Sequence, residues 1–229
     1  MGKDAVELIR LADITFAYPG RPPVLQGLDF QLKQGDRVGI LGPNGAGKST
    51  MFLVAMGFLK PQGGEVFGLG LPCRHERDFR PLRRAVGYLF QDPDDQLFCP
   101  TVAEDVAFGP RNLGLSLEQA MVRVEETLEA LGLAGYGRRL TYQLSGGEKR
   151  LVSLAAVLAM QPQGLLLDEP MNGLDEEHQE RLEQVLMESN LSWAMVSHDR
   201  ALLERTCSVI FCLRDGRLEQ EDLRRRCAV

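Results

Sequence analysis

Residues Gly42-Pro43-Asn44-Gly45-Ala46-Gly47-Lys48-Ser49-Thr50 follow the spacing G-x-x-x-x-G-K-[ST]. The glycines let the backbone curl until successive N–H groups aim at phosphate oxygens, and Lys48 adds a mobile cation for the outer phosphates. Ser49 offers a hydroxyl to a Mg²⁺ ion. Further along, Leu165-Leu166-Leu167-Asp168-Glu169-Pro170 is an apolar run that ends in two carboxylates. If both lie on a strand they point to opposite faces, so they have different work: Asp168 toward Mg²⁺, Glu169 toward an attacking water as general base. A second glycine-rich loop, Leu144-Ser145-Gly146-Gly147-Glu148, opens a helix shortly before that run. Its N–H groups, those of Ser145, Gly146 and Gly147, sit at a positive helix end and suit anionic oxygens. One nucleotide seldom needs two such loops in one domain. The pair points to ATP hydrolysis at a site shared between two chains.

The elements that must position these groups alternate between strand and helix. Residues 13–18 alternate apolar and polar, and the pattern predicts a strand with Ile14, Phe16 and Tyr18 on one face. Arg37–Leu41 reads as a buried strand running into the first loop, and 51–58 as the following helix, opening at Lys48 or Ser49. Val86–Gln91 reads as a further strand, ending at the acidic turn 92–96. Residues 92–143 change character. Thr101…Glu104 and Ser116…Gln119 resemble capping boxes, apolar positions 117, 121, 124, 128 and 131 keep helical spacing, and Gly132 marks a stop. Alternation then resumes: helix 146–160, strand 164–168, helix 175–190, strand 193–197, short helix 200–205, and a strand pair over 208–219 turning at Asp215-Gly216.

Bulk properties narrow the class. A chain of 229 residues, 44% hydrophobic and 25% charged, suits an ordinary globular protein with a substantial core. A formal net charge of −6 argues against binding nucleic acid by phosphate neutralisation. Cys73, Cys99, Cys207, Cys212 and Cys227 form no CxxC pair and read as free thiols in a reducing compartment; Cys207 and Cys212 flank a strand as small core residues. No signal-peptide core or membrane-length apolar run is evident, and Val6 occupies the position where a myristoylation motif beginning at Gly2 wants Ser or Thr. The ending LRRRCAV reads as a solvated basic tail, and the chain is expected to lack a sizeable C-terminal regulatory domain.

With these motifs in this order, the sequence resembles the ATPase subunit of an ATP-binding cassette transporter over essentially its whole length. The resemblance implies an α/β fold. A P-loop NTPase core with a mixed, largely parallel sheet and flanking helices would carry an N-terminal antiparallel β part and an inserted helical subdomain. It would form one domain over 1–229, with core 1–91 and 144–229 and subdomain 92–143. The resemblance also implies roles. Tyr18 stacks on adenine, and Gly42 to Thr50 hold the nucleotide. Gln91 is the glutamine-loop residue, touching Mg²⁺ and linking hydrolysis to membrane subunits. Ser145, Gly146, Gly147 and Glu148 form the signature that contacts ATP held by the partner. Asp175, in Asn172-Gly173-Leu174-Asp175, is the D-loop acid, and His198 senses the γ-phosphate. The implied catalytic set is Glu169, His198 and Gln91; the implied Mg²⁺ ligands are Ser49, Gln91 and Asp168. Taken singly, Tyr18 also fits a core aromatic and His198 a neighbour of a helix cap, while His75 and His178 read as surface residues. Met171-Asn172 before Gly173 departs from the small residues usual in the family.

Two stretches refine the resemblance. Phe90 to Phe98 and Glu104 to Gly114 are similar to the ATPases of energy-coupling-factor importers, and within them to the cobalt and nickel importers; vitamin importers share the same ATPase type. The implied partners are a second ATPase subunit (a copy or a close relative), an integral membrane coupling subunit and a substrate-binding membrane subunit. Nucleic acid is not among them. The implied location is the cytoplasmic face of a prokaryotic membrane, held peripherally. Asp92, Asp94 and Asp95 are expected either to be solvated or to dock an arginine from a coupling helix. Other classes fit less well. Repair ATPases carry long coiled-coil inserts and ribosomal ones two cassettes, and a module that only holds ATP has no use for Glu169.

Overall fold

The computed structural model describes residues 5–221. The expectations about Gly2, the basic tail 223–229 and Cys227 lie outside these described residues. By contact the chain divides into two units, one of residues up to 86 together with those from 192 onward, the other of residues 87–191. The first unit opens with β1 (Glu7–Phe16), β2 (Leu25–Lys33), β3 (Arg37–Leu41), α1 (Lys48–Ala55), β4 (Gly63–Gly68), β5 (Leu71–Pro72) and α2 (Glu76–Ala85). The chain then passes through the second as β6 (Val86–Leu89), α3 (Val102–Asn112), α4 (Leu117–Ala130), α5 (Gly146–Leu158), β7 (Gly164–Asp168) and α6 (Glu176–Glu188). It returns to the first as β8 (Ser192–Val196), α7 (Arg200–Thr206), β9 (Val209–Arg214) and β10 (Arg217–Gln220).

The first unit holds an antiparallel sheet in the order β2-β1-β4-β5. Its β1 runs further back than the 13–18 pattern predicts, because Leu8, Ile9 and Leu11 are buried as fully as Ile14. Tyr18 falls past the strand end and is only half-buried. The same unit holds β10-β9-β3-β8, in which β3 runs parallel to both β8 and β9. Val38, Ile40 and all of β8 are buried, as expected of strands covered on both faces. The β9–β10 hairpin turns at Asp215 and Gly216, both with positive φ (48° and 74°), as a two-residue primed turn requires.

In the second unit every residue of β6 and β7 is buried, and the two strands are neighbours. Both anticipated capping boxes are present: Thr101 with Glu104 on α3, and Ser116 with Gln119 on α4. The apolar stripe of α4 starts later than its spacing predicts. Leu117 is exposed, and burial begins at Ala120 and continues through Val124 and Leu128. The fold is thus mixed α/β, with one antiparallel sheet and one rich in parallel pairs. No described helix is long and apolar enough to cross a membrane.

Candidate nucleotide-binding and hydrolytic residues

In the first unit, β3 delivers the chain into the loop 42–47 and α1 takes it out. The loop depends on its glycines. Gly47 has φ 101°, and a Cβ there would lie 2.5 Å from Val24 Cγ1; at Gly42 (φ 151°) it would lie 2.7 Å from the Leu213 carbonyl oxygen. Gly47 is also the N-cap of α1, with no side-chain cap and no acidic residue in the first turn. The helix therefore starts without a capping side chain of its own, and a helix start is where phosphate oxygens can be met by backbone N–H groups. Lys48 is 7% exposed, and its ammonium donates to the carbonyls of Gly42 (2.7 Å) and Pro43 (3.0 Å). The cation is held inside the curl of its own loop, where a phosphate would sit.

Tyr18 leans on Phe16 edge to face (centroids 5.0 Å apart), and its hydroxyl shares a hydrogen bond with Thr50 Oγ1 at 3.1 Å. Its ring is thereby fixed to the first turn of α1, leaving it partly exposed. His198 follows β8 and is exposed. Its neighbour Asp199 caps α7, accepting from the Leu202 N–H at 3.1 Å, so the cap reading belongs to Asp199. Because β8 pairs in parallel with β3, His198 and the phosphate loop leave the same carboxyl edge of the sheet. That edge is where open parallel sheets bind ligands.

In the second unit, Asp168 closes β7 and is 1% exposed; its Oδ2 accepts from the Tyr88 hydroxyl at 3.3 Å. Glu169 is 9% exposed and has φ 51°, in the left-handed region. The strand has ended before it, so simple alternation does not set its direction; a backbone turn that disfavours a non-glycine residue does. Gln91 lies just beyond β6 and is exposed. Arg150 on α5, which nothing in the motif reading singles out, is 3% exposed and donates to the carbonyl of Phe90 at 2.5 Å and to that of Gln91.

The signature residues open α5. Ser145 is its N-cap: Oγ accepts from the Glu148 N–H at 3.2 Å, and Glu148 Oε2 accepts from the Ser145 N–H at 2.8 Å. This corrects one expectation, since the Ser145 N–H is already taken by Glu148 and is not offered outward. Gly146 and Gly147 are the first two positions of the helix, with the Ser145 hydroxyl beside them. The Glu148 carboxylate turns back into its own chain and also accepts from Tyr136 Oη (2.8 Å) and Arg139 (3.0 Å). These donors, the Ser145 N–H first, hold its carboxyl below the usual value. A Cβ on Gly147 would come within 2.9 Å of the Gly173 carbonyl oxygen, so the signature loop and the D-loop are in close contact. Asp175 caps α6 and accepts from both the backbone and the ring of His178, at 3.0 and 2.6 Å. His178 is a partly exposed residue that is also hydrogen-bonded to Asp175.

The acidic turn is also partly satisfied from within. Asp92 accepts from the Asp94 N–H at 2.9 Å, and Asp94 pairs with Lys149 at 2.6 Å. Asp94 therefore already has a cation of its own chain, which weakens the expectation that it waits for an arginine from outside.

Residues 25–172 match the family model described as ABC transporter. A protein of Nitratidesulfovibrio vulgaris provisionally named an ABC transporter ATP-binding protein is 52% identical over 210 residues, covering 91% of this chain and 77% of that one. The energy-coupling factor transporter ATP-binding protein EcfA of Methanothermobacter thermautotrophicus is 44% identical over 218 residues, covering 93% and 70%. Among solved structures, cbiO1 from Clostridium perfringens, part of the ABC transporter complex cbiONQ, superposes with a TM-score of 0.80 at 32% identity, covering 93% of this chain and 87% of that one. The cassette MJ0796 in a post-hydrolysis state with ADP and Pi gives 0.85 at 28% identity, covering 96% and 100%. The chain belongs to the ABC transporter family as one of its nucleotide-hydrolysing ATPase subunits.

Proposed function

We propose that this chain powers an energy-coupling-factor importer, that its working form is a pair of copies each completing the other's site, and that the cargo is a cobalt or nickel ion. The observation that carries the paired site is the contrast between two helix starts in one chain. The start of α1 has no side-chain cap, while that of α5 is closed by Ser145 and Glu148 and keeps only Gly146 and Gly147 for an anion. The first suits a resident nucleotide and the second a partner's. The likeness to EcfA and to cbiO1 supports the transporter class. The cobalt or nickel cargo rests on the stretches 90–98 and 104–114, with a vitamin as the alternative cargo.

In this reading the loop amides and Lys48 bind the ATP phosphates, Tyr18 supports the adenine, and His198 contacts the γ-phosphate. Ser49, Asp168 and the Gln91 side chain would hold Mg²⁺, and their hydroxyl, carboxylate and amide oxygens are the hard donors that ion takes. When bound, Mg²⁺ supplies neutralisation of charge on the β- and γ-phosphates. Glu169, buried and pointed by its own backbone turn, takes the proton of the attacking water. Asp175 orients the D-loop beside Gly147, and Glu148 stiffens the signature that closes on the partner's ATP. The partners follow: a second copy, a membrane coupling subunit and a substrate-binding membrane subunit, at the cytoplasmic face. Glu169→Gln tests this directly. ATP should drive a lasting dimer, seen by light scattering, while hydrolysis falls by about a hundredfold or more. Equal hydrolysis by the two proteins would remove Glu169 from the role of base.

A further inference from the structure

A buried arginine between two motifs calls for a reason. Arg150 lies two positions after the last signature residue and is 3% exposed. Its fork donates to two consecutive carbonyls, Phe90 and Gln91, at the point where β6 gives way to the glutamine loop. Its third donor, Nε, has no hydrogen-bond partner among the described residues. Burial pulls its basicity down, and the charges of Asp168, Asp92 and Glu169 oppose that pull. A buried cation of this kind is a poor way to gain stability, since removing two or three charges from water costs as much as their attraction returns. A planar fork is well suited to fixing two acceptors in one geometry.

The contacts around it have the same effect. Gln96 accepts from the Phe90 N–H at 3.3 Å and donates to the Ser153 carbonyl at 2.7 Å, while Lys149 pairs with Asp94 at 2.6 Å. Residues 149, 150 and 153 of α5 thus hold residues 90–96 against the helix that begins with the signature.

We infer that Arg150 is a positioning residue for hydrolysis, clamping the Gln91 loop to the signature helix so that the two move as one body. The inference rests on the proposed ATPase site, in which Gln91 serves the reaction. Its effect passes through Gln91, so it governs turnover rather than ATP binding by the phosphate loop.

The full chain is compared as wild type, Arg150→Lys, Arg150→Gln, Gln91→Ala and the double variant Arg150→Gln/Gln91→Ala. Steady-state hydrolysis, ATP affinity and hydrogen exchange over 90–97 are measured. Arg150→Gln should lower kcat by on the order of tenfold with ATP affinity within about twofold of wild type. Exchange in 90–97 should quicken, and the double variant should be no slower than the worse single variant. Arg150→Lys, which keeps the charge without the fork, should recover part of kcat, and it carries the test if Arg150→Gln does not fold. Parallel loss of affinity and kcat, full additivity with Gln91→Ala, or unchanged exchange would each overturn the inference. Glu169→Gln run alongside separates the two readings: if that variant still hydrolyses ATP, the site reading has failed, whereas if it is inactive and the Arg150 series behaves additively, only the clamp has.

Discussion

The starts of α1 and α5 are both glycine-rich and both suited to phosphate, yet they are built in opposite ways. At α1 the N-cap is Gly47 in a left-handed conformation, with no capping side chain and a lysine folded back across the loop. At α5 the N-cap is Ser145, locked by reciprocal bonds with Glu148, which is itself held by Tyr136 and Arg139. An uncapped start is unstable alone and gains most from a bound anion; a capped start is already rigid and can serve as a preformed surface. The lesson is that a shared glycine-rich composition does not mean a shared job. In the proposed reading, what the flanking side chains do at each helix start separates a nucleotide cradle from a lid.

Breaking each start should therefore give different defects. The largest is expected from Gly47→Ala, where the new Cβ meets Val24 at 2.5 Å on a backbone with φ 101°. The cradle must open, and ATP affinity should fall by about tenfold or more, the worth of at least one charge-assisted hydrogen bond, as read by calorimetry. Gly147→Ala places a methyl 2.9 Å from the Gly173 carbonyl. It should leave ATP affinity of the single chain near wild type while cutting hydrolysis on the order of tenfold, because only the lid is displaced. If Gly147→Ala weakened ATP binding as much as Gly47→Ala does, the division of labour would be wrong.

Smaller effects sharpen the picture of the capped start. Ser145→Ala removes the hydroxyl that accepts the Glu148 N–H and should cost about 1 kcal/mol of stability in denaturant unfolding. Glu148→Gln addresses pH. The Glu148 carboxyl is held below 4.5, first by the Ser145 N–H and then by the Tyr136 hydroxyl. A depressed carboxylate gives its stability above the unfolded value and loses it as pH falls through the folded one. The melting temperature of wild type should accordingly drop more steeply than that of Glu148→Gln as pH falls below 4.5. Parallel acid limbs would show that Glu148 gives the cap no charge-dependent support.

The parts that are local in sequence are the parts the sequence makes legible. Arg37–Leu41 and 164–168 are found as strands with those bounds, and the boxes at Thr101 and Ser116 close as their spacing predicts. The strands that escape pattern reading are irregular ones: Gly27 in β2 and Asp13 in β1 take positive φ, and the β1 pairings shift register nearby, which breaks the period of two. α2 is dominated by charge and contains Pro81, so its apolar spacing is thin. In the second unit, Glu169 turns by a backbone strain that alternation cannot show. Arg150 acts on carbonyls 59 and 60 positions away, and only its isolation at the head of the apolar run RLVSLAAVLA hints at a special role. Long-range clamps leave no local spacing to read.

The claim that each chain lends its lid to the other's nucleotide is tested most directly by mixing two disabled proteins. Lys48→Ala lacks a working cradle but keeps the signature; Gly147→Ala keeps the cradle but has a spoiled lid. Lys48→Ala alone should be nearly inactive, and Gly147→Ala alone reduced on the order of tenfold. Equal mixing should restore hydrolysis to about a quarter of the wild-type rate, since half of a random set of two-fold pairs then has one intact site of two. A mixture no more active than the average of its two components would contradict the account and place the whole reaction within a single chain.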